Sequence, residues 1–513
     1  MQAPLNLWYG QPARRCTISV LGWIFGVLAG IVGYELLRYI ILRRVSTRLR
    51  EGAVGFVRRH RIRLESARFI DRVWMREALA QDSAIEESVH TIARDTGQPA
   101  WLLRARVDEY VNEIAPVFSL STYYRVGGTI AKAAVNFCYE LRIEPGAFEA
   151  QLAKAPPDAI RVYVMNHRSN FDSLVLSYAL LRKVALSYAV GEWALVWPLD
   201  SLFRSFGSYF VRRGERDPLY HAVLERFVQL LAGHGGVTGF YIEGGLSRDG
   251  LLRKPKVGLL DYLIKLRREH PDRGIVFMPV ALNYDRVLED RHLVAERNGP
   301  LPKPTPMDRL VTLGRIVVRV PVLIAANFLA VATRSHRKFG YASVNFGEPL
   351  RLEDWPGGRM IHDLEDAPRR EAVAALADHL LRDRIGGAIA VTPVPLLCVA
   401  LLRPGGSAVG EVEQRVVDLL AELRAAKVPI ALGKAFDSIE RRRGEDHEGV
   451  PFLDGELLDR EEAEQLVLLA SSLLRRRGVL QPQESELVPA ANAEALVEYY
   501  ANSIAHHIER ISA

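Results

Sequence analysis

Short β-rich runs alternate with helix-like stretches between residues 159 and 350, and this alternation restricts the possible folds more than any other feature. The β-rich runs are RVYVM, ALSYAV, SYFVRR, VTGFYIE, IVFMPVALNY and YASVNFG. Amphipathic stretches such as DPLYHAVLERFVQLLAGHG separate several of them. Strands that alternate with helices are typical of layered α/β domains. We therefore predict an α/β fold with a mixed sheet.

Helical patterns flank this α/β region on both sides. The preceding segment carries amphipathic stretches with Ser, Thr or Asp at their starts and Gly at their ends, as helices do. After the α/β region the pattern is helical again, and Pro393 and Pro395 predict a turn at the start of one apolar stretch. The predicted units are an N-terminal tail with a transmembrane anchor (1–45), a helical domain (46–157), the α/β domain (158–352) and a helical C-terminal region (353–513).

An uncharged apolar run over residues 16–34 predicts one transmembrane helix. Its 19 residues span about 28 Å as a helix, close to the hydrocarbon thickness of a bilayer. A cleaved signal peptide is the alternative, but no small-residue cleavage site follows the run. Arginines are more frequent after the run than before it, which favours a bacterial inner-membrane protein whose downstream part faces the cytoplasm. A second apolar run, residues 320–333, is too short to span a bilayer and is either a buried helix or a patch that contacts lipid.

Charge and cysteine content exclude few functions but favour some. The 67 Lys and Arg residues against 61 Asp and Glu give a net charge of +6, spread without a long basic tract. This mild excess suits a membrane surface or an anionic substrate as well as it suits nucleic acid. The three cysteines lie far apart, which argues against a disulfide framework or a zinc site and agrees with a reducing compartment.

The stretch RVYVMNHRSNFDSLVLSYALLR, residues 161–182, holds the strongest candidate for catalysis. A strand pattern ends near Met165, and a helix pattern follows Asp172, so the intervening turn lies at the carboxyl end of a strand. Open α/β sheets place their ligands there. His167 and Asp172 are five residues apart, so the carboxylate can fix the imidazole tautomer and leave the other ring nitrogen free to accept a proton. The alternative is an ordinary helix-capping Asp and a solvated His.

Three downstream stretches carry further candidate residues in or at the end of strand-like runs. In GSYFVRR a strand ends in Arg212 and Arg213. In FYIEGGLSR a strand ends in Glu243, Gly244 and a flexible turn. In FMPV a strand-like run contains Pro279.

Together with NHRSNFD, these stretches resemble the four sequence blocks of the glycerolipid acyltransferases, the H-x4-D membrane enzymes. VNFGEP, VTPVPLLCVALL and YYANSIAH further resemble the long glycerol-3-phosphate and dihydroxyacetone-phosphate acyltransferase branch, and the resemblance extends from about residue 107 to the C terminus. It implies transfer of a fatty acyl group from acyl-coenzyme A or acyl carrier protein to the 1-hydroxyl of glycerol 3-phosphate, the first step of phospholipid synthesis. The implied partners are these substrates and a lipid bilayer, with no nucleic acid and no cofactor.

The resemblance assigns a role to each block. His167 is the expected base and Asp172 orients it. Acyl transfer to a phosphorylated alcohol also needs cations for the phosphate, a role that suits Arg212, Arg213 and Arg248. The other expected substrate-binding residues, which belong to the third and fourth blocks, are Glu243, Gly244, Ser247 and Pro279.

Simpler interpretations of these residues stay open. Arg212 and Arg213 also fit a solvated strand end, Gly244 and Gly245 a tight turn, and Pro279 the end of a strand. No G-x-S-x-G motif or reactive Cys arrangement occurs, which favours direct attack by the acceptor hydroxyl over an acyl-enzyme.

One departure from the family pattern bears on the acceptor. The third block usually reads E-G-x-R-S-R, and this chain has Leu246 where the first of those arginines stands. The loss of a cation motivates the alternative that the acceptor is lysophosphatidate or another hydroxyl compound; Lys254 and Lys256 are near enough in sequence to compensate. A non-catalytic membrane scaffold predicts a disrupted His or Asp, and both are present. A nucleic-acid-binding protein predicts a basic stripe with interleaved aromatics, which the sequence lacks.

Overall fold

The run Ile160–Met165 forms the strand on which the site is built. Its residues alternate between two apolar layers: Val162 and Val164 pack on one side of the sheet, and Tyr163 and Met165 pack on the other. A strand that is apolar on both faces belongs in the middle of a sheet covered by helices on both sides. The computed structural model describes residues 72–115, 128–180, 183–184, 186–191, 208–212, 214–299, 338–433, 436, 439 and 455–512.

The described strands form one mixed sheet. They are β1 (Glu140–Arg142), β2 (Ile160–Met165), β3 (Leu186–Gly191), β4 (Tyr209–Val211), β5 (Val237–Tyr241), β6 (Ile275–Tyr284), β7 (Tyr341–Phe346) and β8 (Leu350–Arg351). Their order is β1-β7-β6-β2-β5-β3-β4, and β8 also pairs with β6. β6, β2, β5, β3 and β4 are mutually parallel, whereas β7 and β8 run antiparallel to β6. The carboxyl ends of the five parallel strands therefore lie along one edge of the sheet.

Helices cover both faces of the sheet. In chain order they are α1 (Arg72–Ala80), α2 (Ser83–Thr96), α3 (Ala100–Ile114), α4 (Gly128–Cys138), α5 (Ala147–Ala153), α6 (Asp172–Ala179), α7 (Pro218–Gly233), α8 (Gly258–Lys265), α9 (Asp290–Ala295), α10 (Asp366–His379), α11 (Pro393–Leu402), α12 (Val409–Ala425), α13 (Gly455–Arg476), α14 (Glu494–Asn502) and α15 (Ala505–Ser512).

Each face has its own apolar core. One core joins α1, α2, α3, α7, α8 and α10 to the sheet through residues such as Val107, Phe227 and Leu376. The other joins α4, α5, α6 and the C-terminal helices α11 to α14 through residues such as Val175, Leu397 and Val497. The C-terminal helices thus pack directly on the layer that carries the His167 loop.

The prediction of an α/β fold with a mixed sheet and helical flanks is confirmed, and all six β-rich runs contain strands. The prolines of the segment 390–402 also have a physical place, because Pro393 is the first residue of α11, where its missing N–H has no helical partner. Two short strands were not expected: β1 lies within the segment predicted to be helical, and β8 has two residues. Nothing in the structure fixes the predicted domain boundaries, which stay predictions.

The membrane predictions fall on segments outside the described residues, namely the anchor over 16–34 and the apolar run 320–333. Among the residues that the structure does describe, no helix has both the length and the apolar character needed to cross a bilayer.

Candidate active site

The register of β2 and β5 brings the first and third sequence blocks together. Met165 is paired with Tyr241, so the turns that follow these two neighbouring strands leave the sheet side by side. His167 and Glu243 each come two residues after the paired position. The backbone N–H of His167 donates a hydrogen bond to Glu243 Oε1 over 2.9 Å. Two blocks separated by 76 residues in sequence therefore form one site.

His167 and Asp172 form a hydrogen-bonded pair. His167 Nδ1 lies 2.8 Å from Asp172 Oδ2, and both side chains are buried. Asp172 is the first residue of α6, so the start of that helix carries the carboxylate back toward the imidazole. An ionised Asp172 accepts a hydrogen bond from the Nδ1–H group, and this bond leaves Nε2 as the basic nitrogen. Among the described residues nothing hydrogen-bonds Nε2, which is thus available to an acceptor hydroxyl.

Three more donors hold the Asp172 carboxylate. Oδ2 also accepts the backbone N–H groups of Arg168 at 2.8 Å and Ser169 at 3.0 Å. Oδ1 accepts the Tyr284 hydroxyl at 2.6 Å. A buried carboxylate with this many donors is fixed in place. Burial and the adjacent Asp172 charge raise the pKa of Tyr284 well above its usual value, so Tyr284 remains a donor.

Sequence reasoning missed Tyr284 and Glu289, which position the His167 loop from β6 and from the segment after it. Glu289 accepts hydrogen bonds from the Ser169 hydroxyl at 2.8 Å and from the Asn170 N–H at 2.7 Å. No local pattern marks either residue. The available signal was the placement of the fourth block, because β6 pairs with β2 and delivers its last residues beside the His167 turn.

Glu243 braces the backbone rather than presenting a charge to a ligand. Its second oxygen accepts the Arg253 N–H at 2.8 Å, so the carboxylate joins the His167 turn to the loop that follows β5. Burial raises the pKa of Glu243, and the nearby Arg168 opposes that shift. Arg168 itself is buried and donates to the carbonyl oxygens of Gly250 and Ser503, the latter at 3.0 Å.

A largely apolar cavity opens beside the imidazole. Its volume is about 560 Å³, part of which is open to solvent. The cavity follows the carboxyl ends of β5, β3 and β4, and its lining includes His167, Ala189, Val211, Phe240 and Leu259. One ring face of His167 stacks on Tyr241, with centroids 3.9 Å apart and an interplanar angle of 14°. The stack fixes the ring plane, so the imidazole lies in the cavity wall in one orientation.

The third-block residues divide between the cavity and its supporting loop. Gly244 lines the cavity at φ +64°, and a Cβ there would lie 2.6 Å from Lys256 Cγ, so the turn requires glycine. Gly244 is thus both part of a tight turn and part of the cavity wall. Ser247 is buried and donates to Leu251 O, which stabilises the loop. Arg248 is 45% exposed and pairs with Glu296 at 2.9 Å.

The strand of the second block, β4, reaches the far end of the cavity. Val211 ends β4, three strand positions from β2, which corresponds to roughly 14 Å across the sheet. Arg212 follows it and forms ion pairs with Glu113 and Glu215. The hydrogen bond to Glu113 is the main reason why the pKa of Arg212 is raised above its usual value. Glu113 and Glu215 together accept three hydrogen bonds from the Arg212 guanidinium, which has five N–H donors. Arg213 lies outside the described residues.

Pro279 lies inside β6 and does not end it. The strand continues five residues further, to Tyr284, so the interpretation of Pro279 as a strand terminator is wrong. Its position explains the tolerance: β8 pairs with residues 276 and 277 of β6, and β7 pairs from Val280 onward, so the missing N–H falls where the partner strand changes.

Within the described part of the chain, no group of three His, Cys, Asp or Glu side chains is arranged to hold a metal ion.

Comparison with known proteins agrees with this geometry. Residues 150–283 match the acyltransferase family, and residues 325–438 match the glycerol-3-phosphate acyltransferase C-terminal region. The glycerol-3-phosphate acyltransferase of Xanthomonas campestris pv. campestris is 30% identical over 376 residues, which cover 70% of this chain and 39% of that protein. The chain is therefore similar to the glycerol-3-phosphate acyltransferases, both in its acyltransferase region and in the region that follows it. This finding confirms the family resemblance predicted from the sequence.

Other relatives of the glycerol-3-phosphate acyltransferase family give the same result. The glycerol-3-phosphate acyltransferase of Aeromonas hydrophila subsp. hydrophila is 31% identical over 63% of this chain and 39% of its own length. That of Xanthomonas axonopodis pv. citri is 29% identical over 76% of this chain and 41% of its own length. The chain therefore spans about two fifths of the length of these three curated relatives.

A solved structure from the wider group also aligns. The crystal structure of the 1-acyl-sn-glycerophosphate acyltransferase PlsC from Thermotoga maritima is 14% identical, with a TM-score of 0.28, over 60% of this chain and 97% of that protein. A likeness of this size adds nothing to the assignment.

Proposed function

We propose that this protein transfers a fatty acyl group to the 1-hydroxyl of glycerol 3-phosphate. Acyl-coenzyme A or acyl carrier protein supplies the acyl group as a thioester. The observation that carries the proposal is the His167–Asp172 pair at 2.8 Å, with its second ring nitrogen available at an apolar cavity. The names of the relatives and the match to the C-terminal region support glycerol 3-phosphate as the acceptor.

The chemistry follows from the positions of the side chains. His167 Nε2 accepts the proton of the acceptor hydroxyl as its oxygen attacks the thioester carbonyl carbon. The carbon–sulfur bond of the resulting tetrahedral intermediate then breaks, and the leaving thiolate takes the proton back from the imidazolium. The products are an acyl ester and a thiol. Asp172 stabilises the imidazolium between these steps because its carboxylate is already oriented by four hydrogen bonds. No cofactor is needed in this sequence.

Cations near the third block support binding of the acceptor phosphate. The Arg248 side chain is 45% exposed. Arg253 lies against the same loop, and its Nη1 donates to Leu246 O at 3.1 Å. Arg253 is thus a third candidate, beside the two lysines considered from sequence, for the role of the arginine replaced by Leu246. Gly244, Ser247 and Glu243 shape the loop between these cations and the imidazole.

The alternative acceptor is lysophosphatidate. It is favoured by one observation, namely that Leu246 is half-buried in the layer that also contains Tyr241, which makes the third block more apolar than the family pattern. An acceptor already carrying an acyl chain would use that apolar surface.

Localisation is part of the same proposal. We place the protein at the bacterial inner membrane, with the catalytic region facing the cytoplasm and the bilayer as a partner. The support is the apolar run 16–34 and the arginines that follow it.

An acceptor panel tests the proposed function. Full-length protein is incubated with acyl-coenzyme A or acyl carrier protein and with glycerol 3-phosphate, dihydroxyacetone phosphate or lysophosphatidate in turn. We expect 1-acylglycerol 3-phosphate as the main product. Transfer to lysophosphatidate with none to glycerol 3-phosphate would select the alternative, and no transfer to any acceptor would contradict both.

A further inference from the structure

A second cavity lies behind the segment that supports the active site. Residues 284–290 contact the His167 loop through Tyr284 and Glu289. Of the four residues between them, Asp285 and Arg286 line the second cavity instead. Its volume is about 510 Å³, part of it open to solvent, and it has no lining residue in common with the cavity beside His167. The two cavities are therefore separate sites that share one structural segment.

Four cationic side chains surround the second cavity. Arg286 and Arg477 are half-buried in its interior, and Lys338 and Arg476 are exposed at its edge. In the described part of the chain, no carboxylate forms an ion pair with Arg286, Lys338 or Arg476. An excess of unpaired positive charge around a concave surface attracts anions.

Two of the inner guanidinium nitrogens also lack hydrogen-bond partners. Arg286 Nε and Arg477 Nη1 are buried and make no hydrogen bond among the described residues. Arg286 lies over the Phe339 ring at 4.1 Å, which orients its planar head without satisfying its donors. Burial lowers the pKa of Arg286, and the charge of Arg477 lowers it further. An anion that accepts hydrogen bonds from these groups would relieve both effects.

The nearby acidic residues neutralise only part of this charge. Asp285 accepts the backbone N–H groups of Tyr341 at 2.7 Å and Val394 at 2.9 Å. Asp290 is bound by Arg477 at 2.5 Å and by the Tyr500 hydroxyl. Asp290 therefore offsets Arg477, and Asp285 adds one further negative charge to the cavity lining, so two of the four positive charges remain in excess.

We propose that this cavity is a binding site for a phosphate monoester, distinct from the acyl-transfer site. Guanidinium groups suit a phosphate because their planar donors match two of its oxygens at once. The remaining wall is apolar and includes Phe339, Leu473 and Leu474, which gives a surface for the organic part of the ester. A free orthophosphate would use only the cationic half of the cavity.

Calorimetric titration of the full-length protein with inorganic phosphate tests the site. Arg286→Gln removes the central guanidinium, and Lys338→Gln removes an exposed edge charge whose loss leaves the core intact. Arg460→Gln is the matched control, because Arg460 is exposed on α13, the helix that carries Arg476, and does not line the cavity. We expect phosphate to bind about tenfold or more weakly to Arg286→Gln, several-fold more weakly to Lys338→Gln, and equally to the control and the unmodified protein.

Two further titrations identify the source of the phosphate group. Dihexanoyl phosphatidate carries a phosphate monoester on a water-soluble lipid, and dihexanoyl phosphatidylcholine is the matched lipid without one. Tighter binding of dihexanoyl phosphatidate than of inorganic phosphate, lost in Arg286→Gln, assigns the site to a lipid headgroup. The reverse order assigns it to a soluble phosphate compound. The proposal is overturned if phosphate binds the unmodified protein and both cavity variants with one affinity, or if neither inorganic phosphate nor dihexanoyl phosphatidate binds at all. If Arg286→Gln fails to fold, the Lys338→Gln result decides.

Discussion

At the scale of single residues, the chemistry depends on how firmly Asp172 holds the imidazole. Four hydrogen-bond donors converge on this carboxylate, three from the His167 loop and one from Tyr284. The backbone donors join the loop to the first residue of α6. The Tyr284 hydroxyl adds a contact from a strand that is 112 residues away in sequence.

Asp172→Asn therefore should reduce kcat far more than it changes KM. An amide can accept the backbone N–H groups, but it donates to His167 Nδ1 or leaves it unpaired, which favours the wrong tautomer and removes the charge that stabilises the imidazolium. We expect a loss of kcat on the order of 10³-fold or more. Initial-rate kinetics with glycerol 3-phosphate and acyl-coenzyme A measure it.

Tyr284→Phe is the graded comparison for this variant, because it removes one neutral donor and keeps the ring. The expected decrease in kcat is about tenfold, in line with the loss of one hydrogen bond to a charged group. Equal kcat values for Asp172→Asn and the unmodified enzyme would show that the carboxylate has no part in the reaction.

The contacts of a site residue could be predicted from the sequence where the partner is close in the chain, and not where it is distant. His167 and Asp172 are five positions apart on one turn, so their pairing follows from a strand that precedes a helix. Arg212 was predicted to bind phosphate from the same kind of local pattern. Its main partner, Glu113, lies 99 residues earlier on α3, and no periodicity in the sequence connects the two.

At the scale of secondary structure, the loop after β5 is held against α14 without space for a side chain. Gly250 has φ +87°, and a Cβ there would lie 1.9 Å from the Tyr499 carbonyl oxygen. Arg168 donates to the Gly250 carbonyl from the other side, and Asn502 Nδ2 donates to Asp249 O at 2.8 Å. The residues directly after the third block thus connect the His167 loop to a C-terminal helix.

Gly250→Ala should separate these elements. Backbone atoms of Tyr499 cannot yield as a flexible side chain would, so we expect a loss of about 3 kcal/mol or more in unfolding free energy. Gly214→Ala is the matched control: φ is +74° there too, but a Cβ would meet nothing within 4 Å, so the expected cost is about 1 kcal/mol of backbone strain. Thermal unfolding of both variants measures the difference. Equal melting temperatures would contradict the close packing of α14 on this loop.

Strand prediction succeeded where runs were long enough to show apolar content and failed where they were not. β6 has ten residues that are all buried, and its run was evident from sequence. β1 has three half-buried residues and β8 has two, too few for a pattern, and both exist only because long strands offer them free edges. Their formation depends on tertiary contacts.

At the scale of the whole molecule, the C-terminal region completes the layer behind the catalytic loop. His506 Nε2 donates to Gly386 O at 3.0 Å, and His507 Nε2 donates to Ile389 O at 2.8 Å. Arg168, the residue after His167, donates to the Ser503 carbonyl oxygen and so links the His167 loop to the same region. The sequence indicated a helical C-terminal region but gave no sign that it contacts the site, because such docking depends on shape and not on local pattern.

The buried histidines make this docking sensitive to acid. Burial lowers the pKa of His506 from 6.5 to about 3, and burial also lowers that of His507. A histidine with a folded-state pKa below its unfolded value stabilises the fold fully above about pH 6.5, and this stability is lost as the pH falls toward about 3. At pH 5 the cost from His506 alone is about 2 kcal/mol.

We therefore expect the melting temperature to fall between pH 7 and pH 5, and to fall less in His506→Gln, which keeps a donor for Gly386 but does not titrate. Differential scanning calorimetry at the two pH values measures both slopes. The same decrease in the variant and the unmodified protein would show that His506 is not buried in the neutral form.

The central claim is that His167 Nε2 removes the proton of the acceptor hydroxyl, and kcat/KM for acyl transfer to glycerol 3-phosphate by His167→Ala tests it most directly. The His167→Ala protein is assayed beside the unmodified enzyme with acyl-coenzyme A, after its melting temperature has been shown to match that of the unmodified enzyme. We predict that His167→Ala lowers kcat/KM by about 10³-fold or more, since a positioned general base contributes about 10²- to 10⁴-fold and the imidazole also returns the proton to the leaving thiolate. A folded His167→Ala protein that retains kcat/KM within tenfold of the unmodified enzyme would contradict the account.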